Sequence, residues 1–452
     1  SYEQGVDRPA ATPASAAIQR ALSARTPYRS PAAVREPERG GFALGRVDRI
    51  GVGGFAGVDP GGNQMLARIQ IRAVAIAAMS VVTTAAAHAQ VTSIVTLSSA
   101  GVQGNGPARS TSMSADGRLV AFGSAASNLV PGDTNGHEDI FVRDVQTGIT
   151  TRVSTGTGGV QGSNRSYEPS MAAAGRFVAF RSGAALDPLD TNGDWDVYIK
   201  NLTTDVTERI SVTTGGGQVV YNSYTPAVNS DGSVVAFASE STGFLANDAN
   251  GQVRDVFVRD RVLGTTTLVS RSTSGVQGDN ESSGPSISGD GRFIAFASHA
   301  ANLVAADTNG TADVFVHDRL NGTTILVSAA TSGGAGNGNS FNPTISLDGT
   351  LVAFASSASD LGGADLNGVI DVFVRDLTSA TTTLLSRSTT GGGSNGHSGV
   401  FGKIAISGDN TRVAFDSSAT NLVLDDASNQ EDIFVAELAS GRIARISVSA
   451  TG

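Results

Sequence analysis

Cysteine is absent from this sequence, which excludes disulfide staples, thiolate nucleophiles and cysteine-ligated metals. It does not fix the compartment, because a large β-rich body needs no staples. Aromatic residues are scarce at 6%, with Trp195 the single tryptophan, so any core must be built from Val, Ile, Leu, Phe and Ala. Charged residues are also few, at 16%. Basic charge is the scarcer sign: residues 91–452 hold 21 Lys or Arg against 35 Asp or Glu. Such an acidic body argues against sequence-independent binding to nucleic acid, which needs cationic surface. No apolar run is long enough for a comfortable membrane span.

One short apolar run, Ala73–Val82, has a specific setting. It lies within MLARIQIRAVAIAAMSVVTTAAAHAQ, residues 65–90, after Arg68 and Arg72 and before Ala87-His88-Ala89. A positive start, an apolar stretch and a small-x-small site make a secretory signal, with cleavage expected after Ala89. Residues 1–64 are rich in Ala, Arg, Pro and Gly and show no hydrophobic period. They are expected to be untranslated sequence upstream of Met65 or a disordered extension. The mature protein is then periplasmic or secreted, and does not span the membrane after signal cleavage.

What is abundant is Gly, at 56 residues, together with Ser, Thr and Val, the composition of many short strands joined by tight turns. Residues 91–452 repeat themselves six times. An Asp-x-Asn-Gly-like turn before an apolar strand recurs as DTNGHEDIFVRD at 133, DTNGDWDVYIKN at 190, DANGQVRDVFVRD at 248, DTNGTADVFVHD at 307, DLNGVIDVFVRD at 365 and DASNQEDIFVAE at 426. The intervals are 57, 58, 59, 58 and 61 residues. Each anchor follows a motif such as SGDGRFIAFAS from Ser288, and each repeat closes on a third motif such as TILVSA.

Four strands per repeat follow from these motifs. In the fourth repeat they are A (Pro285–Ser288), B (Arg292–Ser298), C (Asp313–Val316) and D (Thr323–Ser328). Asp-Gly turns make A and B a tight antiparallel hairpin. Six four-stranded antiparallel units describe an all-β, six-bladed β-propeller, whose blades bury their two apolar faces by stacking round an axis. A β-helix would need rungs of about 20–25 residues, shorter than this unit. The pattern carried by Pro285, Asp290, Gly291, Ala295, Phe296, Asp313, Phe315 and Asp318 resembles the TolB-type, WD-like repeat of six-bladed propellers. That family includes periplasmic partner proteins and propeller domains beside peptidases. Ser93–Ser98 reads as a seventh D strand: it adds to the last blade and latches the ring, or else further blades follow Gly452.

In such blades the Asp-x-Asn-Gly loops are B–C connections and form a ring on one face, shared with the D–A connections. One reading makes them calcium sites, since calcium takes six to eight oxygens. Asp190, Asn192, Asp194 and Asp196 offer the fullest set. Asp133, Asn135 and Asp139, Asp307, Asn309 and Asp313, and Asp365, Asn367 and Asp371 offer three each. The loops are similar to the calcium loops of integrin-type propellers, but are shorter and lack one or two carboxylates. The other reading is that Asp and Asn-Gly simply build the turn. On the same face Tyr167, Tyr221, Tyr224, Phe341 and Phe401 are placed in D–A loops, where aromatics could anchor a ligand.

No catalytic constellation is evident. His88, His137, His299, His317 and His397 occupy non-equivalent repeat positions and read as surface or packing residues, and neither Gly-x-Ser-x-Gly nor His-Glu-x-x-His occurs. Residues that break the repeat mark a site better than those that obey it, which singles out Arg181, Trp195 and Asp416. The resulting expectation is a monomeric, non-catalytic exported propeller that binds a protein, peptide or glycan, with calcium as a stabiliser. The alternatives are a lyase or hydrolase at the channel mouth, or a structural module of a larger surface protein.

Overall fold

The computed structural model describes residues 93–448, apart from 364, 366 and 427–429. The expectations for residues 1–64 and for the signal at 65–90 lie outside the described residues. The described chain forms 24 strands, from β1 (Ala108–Met113) to β24 (Ile443–Arg445). They fall into six sheets of four consecutive antiparallel strands. The protein is a six-bladed β-propeller, with blades at 108–152, 166–209, 223–268, 282–326, 340–384 and 405–445.

Blade 4 shows how sequence makes a blade. Strand B is Phe293–Ser298 and strand C is Asp313–Asp318, paired without slip. Because side chains alternate along a strand, Phe293 and Ala295 face blade 5 while Ile294 and Phe296 face blade 3. Ala295, Val314 and Val316 of blade 4 meet Val352, Phe354 and Phe373 of blade 5 in one buried cluster. The same arrangement recurs at each of the five junctions between successive blades. The A–B turns carry backbone bonds across junctions as well, for example Ala174 N to Ser230 O at 3.0 Å and Gly289 N to Leu347 O at 2.7 Å.

The A–B turn works as its sequence implies. Ser288 Oγ and the Arg292 amide both bond to Asp290, and Gly291 takes φ +74°. In blade 6, Asn410 stands at the Gly position and adopts φ +59°, which Asn tolerates better than other side chains. Strand A differs from expectation. It starts three residues earlier, at Ser282, and carries a bulge. The bulge residues Ser110, Glu168, Thr225, Gly284 and Asn342 all have positive φ. The bulge extends the strand past Pro285, and it places Tyr167, Tyr224 and Phe341 on strand A instead of in loops.

In blades 1 to 3 the penultimate residue of strand C ties the blade to the linker before it. Arg259 donates to Thr213 O at 3.0 Å and Thr266 Oγ1 at 3.2 Å. Arg143 makes the matching contacts in blade 1. The counterpart in blade 4 is His317, fully buried, with Nδ1 2.9 Å from Thr324 Oγ1. That hydroxyl gives its own proton to Arg271 O, so the imidazole must donate through Nδ1. Burial, helped by Arg271, pushes His317 down to about 4. A folded pKa below the unfolded value near 6.5 means that the unfolded chain takes the proton first as pH falls. Stability is therefore lost between about pH 6.5 and pH 4, by up to about 3 kcal/mol. His317→Gln keeps a neutral donor, and the expected outcome is a shallower loss of stability over that window in urea titrations. Equal losses in both proteins would contradict the assignment.

Candidate functional site

The Asp-x-Asn-Gly loops have a common internal wiring. The last Asp accepts a hydroxyl from a strand D serine, which in turn accepts the next amide. In blade 3 these bonds are Ser270 Oγ to Asp255 at 2.6 Å and Val256 N to Ser270 Oγ at 3.1 Å. The Asn side chain closes the turn. In blade 4, Asn309 Nδ2 donates to Asp313 Oδ2 and to Gly336 O, both at 2.7 Å, while Oδ1 accepts from Thr311 N at 2.9 Å. The backbone carbonyl can only accept, which fixes the amide orientation. Asn135 and Asn367 are bound in the same way. The Asn carbonyls therefore serve the turn, and amide hydrogens face the carboxylates.

What neutralises the paired acids differs between blades. In blade 1, Arg152 lies 3.3 Å from Asp133 and 3.7 Å from Asp139. In blade 2, Arg209 lies 3.5 Å from Asp190 and 3.7 Å from Asp196. Tyr198 also donates to Asp190, and Asp194 turns away to accept the Tyr221 amide at 2.8 Å. In blade 6, Arg445 plays the arginine's part against Asp426 and Asp432. Blade 3 uses an amide, Gln277, on Asp248 and Asp255. In blades 4 and 5 both replacements are gone: Leu326 and Leu384 stand at the arginine position, Ala335 and Gly393 at the glutamine position. Burial raises Asp313 and Asp365 to about 6 each, with Asp371 adding to the rise at Asp365. Among the described residues, no group of three or more His, Cys, Asp or Glu is gathered as for a metal.

The asymmetry of the loop face is concentrated elsewhere, over blades 1 to 3. Arg181 stands on strand B where blades 3 to 5 have Ala. Its guanidinium lies 5.4 Å from the Tyr167 ring, 5.0 Å from Trp195 and 5.2 Å from Tyr224. Tyr167 and Trp195 stack at 5.4 Å with 12° between planes. Glu168 pairs with Arg181 at 3.3 Å. Arg254 also lies over the Tyr224 ring, at 4.5 Å, and pairs with Glu240 and Glu281. Gly183 makes room: a Cβ there would meet the Trp195 ring at 3.2 Å.

Beside this cluster, between blades 1 and 2, is a cleft of about 270 Å³ lined by Arg109, Ala125, Gly136, His137, Glu138, Arg165 and Tyr167. Glu138 is buried in its floor, with Arg109 at 3.5 Å. Gly123 replaces the usual Ala because a Cβ there would come within 2.9 Å of Glu138 Oε1. Burial raises the Glu138 pKa against the pull of Arg109 and Arg165. The two arginines are exposed at the rim. The cleft thus has one buried acid, two accessible guanidiniums and an aromatic wall.

The five aromatic candidates therefore separate. Tyr167 and Tyr224 join the cluster, and Tyr221 is exposed beside it with its hydroxyl against Gln252. Phe341 instead packs into the blade 5–6 core. Phe401 is exposed on blade 6, in a loop held by Asp416, which accepts the amides of Val400, Phe401 and Gly402. Of the three repeat-breaking residues, Arg181 and Trp195 lie together and Asp416 shapes a loop. Sequence reasoning missed Arg109, Glu138, Arg165 and Arg254. The signal was present: Glu138, Trp195, Arg254, Ala312, Ile370 and Glu431 occupy one repeat position, which carries five different residue types in six blades.

The fold and the loop-face geometry define a six-bladed β-propeller with one asymmetric, cationic-aromatic arc. No family model matches the chain. No curated protein matches it either. Among solved structures it is similar to the putative TolB from Agrobacterium tumefaciens at 16% identity, covering 62% of this chain and 80% of that one with a TM-score of 0.38. TolB from Acinetobacter baumannii is 13% identical, with coverages of 76% and 79% and a TM-score of 0.41. An oligogalacturonate lyase in complex with manganese is 13% identical, with coverages of 74% and 75% and a TM-score of 0.46. At these identities the likeness is one of fold alone.

The charge pairs give a direct test. Arg209→Leu copies the residue of blades 3 to 5 but leaves Asp190 and Asp196 facing each other. The expected cost is about 3–5 kcal/mol in chemical unfolding. Adding Asp190→Asn should recover part of it, and an unchanged midpoint in Arg209→Leu would show that the guanidinium is not needed.

Proposed function

We propose that this propeller is an exported, non-catalytic binding module whose loop face, over blades 1 to 3, takes a carboxylate-bearing segment of a protein or peptide. The observation that carries this reading is the cleft at the blade 1–2 junction, where Arg109 and Arg165 are exposed beside the Tyr167–Trp195 stack on an otherwise acidic molecule. Arginine forks match carboxylates in a bidentate way, and aromatic walls supply contact area at low entropic cost. A uronic acid-bearing glycan carries the same carboxylate and is the competing ligand. Among the described residues, no helix is long and apolar enough to cross a membrane. Export rests on the signal-like segment at 65–90.

Trp195 is the only tryptophan, so its fluorescence reports the site without labelling. Titration with a hexaglutamate peptide is expected to change that signal, whereas hexalysine leaves it unchanged. Arg109→Ala with Arg165→Ala should weaken binding by about tenfold or more, near 1.4 kcal/mol or above. A response to oligogalacturonate alone would move the ligand class to glycans. No response to either, or equal binding by the double variant, would overturn the reading.

For the metal, the acid pairs with neither a guanidinium nor a glutamine, Asp307 with Asp313 and Asp365 with Asp371, are the places we assign to calcium. A cation there would do the work that arginine does in blades 1, 2 and 6. Calcium should raise the thermal midpoint over that in chelator, and Asp307→Asn with Asp365→Asn should abolish the rise. No shift at millimolar calcium would leave the loops as turns.

One observation favours the catalytic alternative. Lys403 is exposed to solvent yet ringed by protein atoms, which lowers its pKa against the opposing charge of Glu168 in blade 2. A lowered lysine pKa favours the free amine, the form that accepts a proton. Lyase chemistry would then show as new unsaturated product from polysaccharide, lost in Lys403→Met.

A further inference from the structure

Five of the junctions between blades are alike, but the outer faces of the first and last blades are not covered in that way. Met113, at the end of strand A in blade 1, is 63% exposed, whereas Met171, Val228, Ile287 and Ile345 at the same position are between 5 and 8% exposed. On blade 6, Ile433 is 41% exposed, whereas Ile140, Val197, Val256, Val314 and Val372 are at 0%. Phe122 and Phe141 of blade 1 are buried, but they cluster only with Ala126, Leu129 and Val130 of their own blade and with no residue of another blade.

The segment before blade 1 says what belongs there. The linkers into blades 2, 3 and 4 dock on the outer strand of the blade they lead into: Thr157 against Thr207, Thr214 against Thr266 and Thr273 against Thr324. Ser99 docks on Thr150 in the same way. Counting back three residues from Thr157, Thr214 and Thr273 gives Ser154, Ser211 and Ser270, the strand D serines that bind the strand C aspartates. Counting back three from Ser99 gives Thr96, also a hydroxyl. Gly104 N bonds to Thr96 O as Gly278 N bonds to Ser270 O, each at 2.9 Å. Val95 precedes it as Val153 and Val269 precede their serines, yet it is only half-buried where they are fully buried. Ser93–Leu97 thus stands against blade 1 in the place of a fourth strand without being paired as one, and no strand C lies beside it among the described residues. Blade 6 cannot supply that strand C, because its own β24 already occupies the edge of Asp432–Glu437.

We propose that the seam between blades 6 and 1 is a docking site for one further three-stranded A–B–C unit of this same repeat, completed by Ser93–Leu97 as its fourth strand. The unit presents Phe from both faces, with Val on one and Ile on the other, as strands B and C of blade 4 do to blades 5 and 3. It also brings a strand C aspartate to the Thr96 hydroxyl.

The test uses the full chain. Ser447 is in register with Ser270, since both bind the strand C aspartate, so a copy of residues 276–318 appended after Gly452 enters the seam in phase. The extended chain should melt several degrees higher, and hydrogen exchange at Ala108–Met113 and Asp432–Glu437 should slow by about tenfold or more. The same extension carrying Phe296→Ser and Phe315→Ser in the copy should give neither effect. Thr96→Val in the extended chain should remove part of the gain. The inference fails if the good extension behaves like the serine control. It fails equally if the unextended chain already protects Met113 and Ile433, whether as a monomer closed on itself or as a dimer in sedimentation.

Discussion

Everything in this molecule depends on the packing of one blade face against the next. A four-stranded sheet of this composition has two apolar faces, and neither can be left in water. Burying a side chain such as Phe296 or Phe354 is worth about 2–3 kcal/mol, and the neighbouring blade supplies the covering surface. The aromatic scarcity of the sequence is consistent with this. One Phe on strand B and one aromatic on strand C stack within most blades at ring separations near 6 Å, and small Ala and Val fill the rest.

The polar wiring at the loop end follows from the same geometry. Strand C must start in register with strands B and D, and the Asp–Ser–amide bonds fix that start in every blade. Two buried carboxylates in one turn then need compensation, and the blades solve this with arginine, with glutamine, or by leaving the pair open. The aspartates repeat because the fold needs them. Function is freer to act on the residues next to them, which face the loop end and are not held by the repeat. That is why Glu138, Trp195 and Arg254 can differ so widely at a single position.

Much of this was legible in the sequence. Six repeats of about 58 residues, Asp-Gly turns and alternation along strands were enough for blade number, strand count and strand direction. The strand A bulge was not legible, because a left-handed residue such as Thr225 has no sequence signature. Without the bulge, Tyr167 and Tyr224 read as loop residues. The arginines in the acid turns were also hidden, since Arg152 and Arg209 come from strand D, about 19 residues beyond the aspartates they neutralise. Repeat-breaking at Arg181 and Trp195 did point to the cluster, because an unusual residue in a repeated position has lost the structural reason for its neighbours' identity. Applied at every repeat position, that test finds Arg109 and Glu138 too.

The central claim is that blades have no stability apart from their neighbours, so the stack behaves as one unit. Calorimetry of the intact chain and of Phe315→Ala tests it most directly. Removing that ring should cost about 3–5 kcal/mol. A single transition, with calorimetric and van't Hoff enthalpies equal and the whole transition shifted down in the variant, is the predicted result. Two or more transitions, with only one of them moved by Phe315→Ala, would contradict it and make the blades separately folding modules.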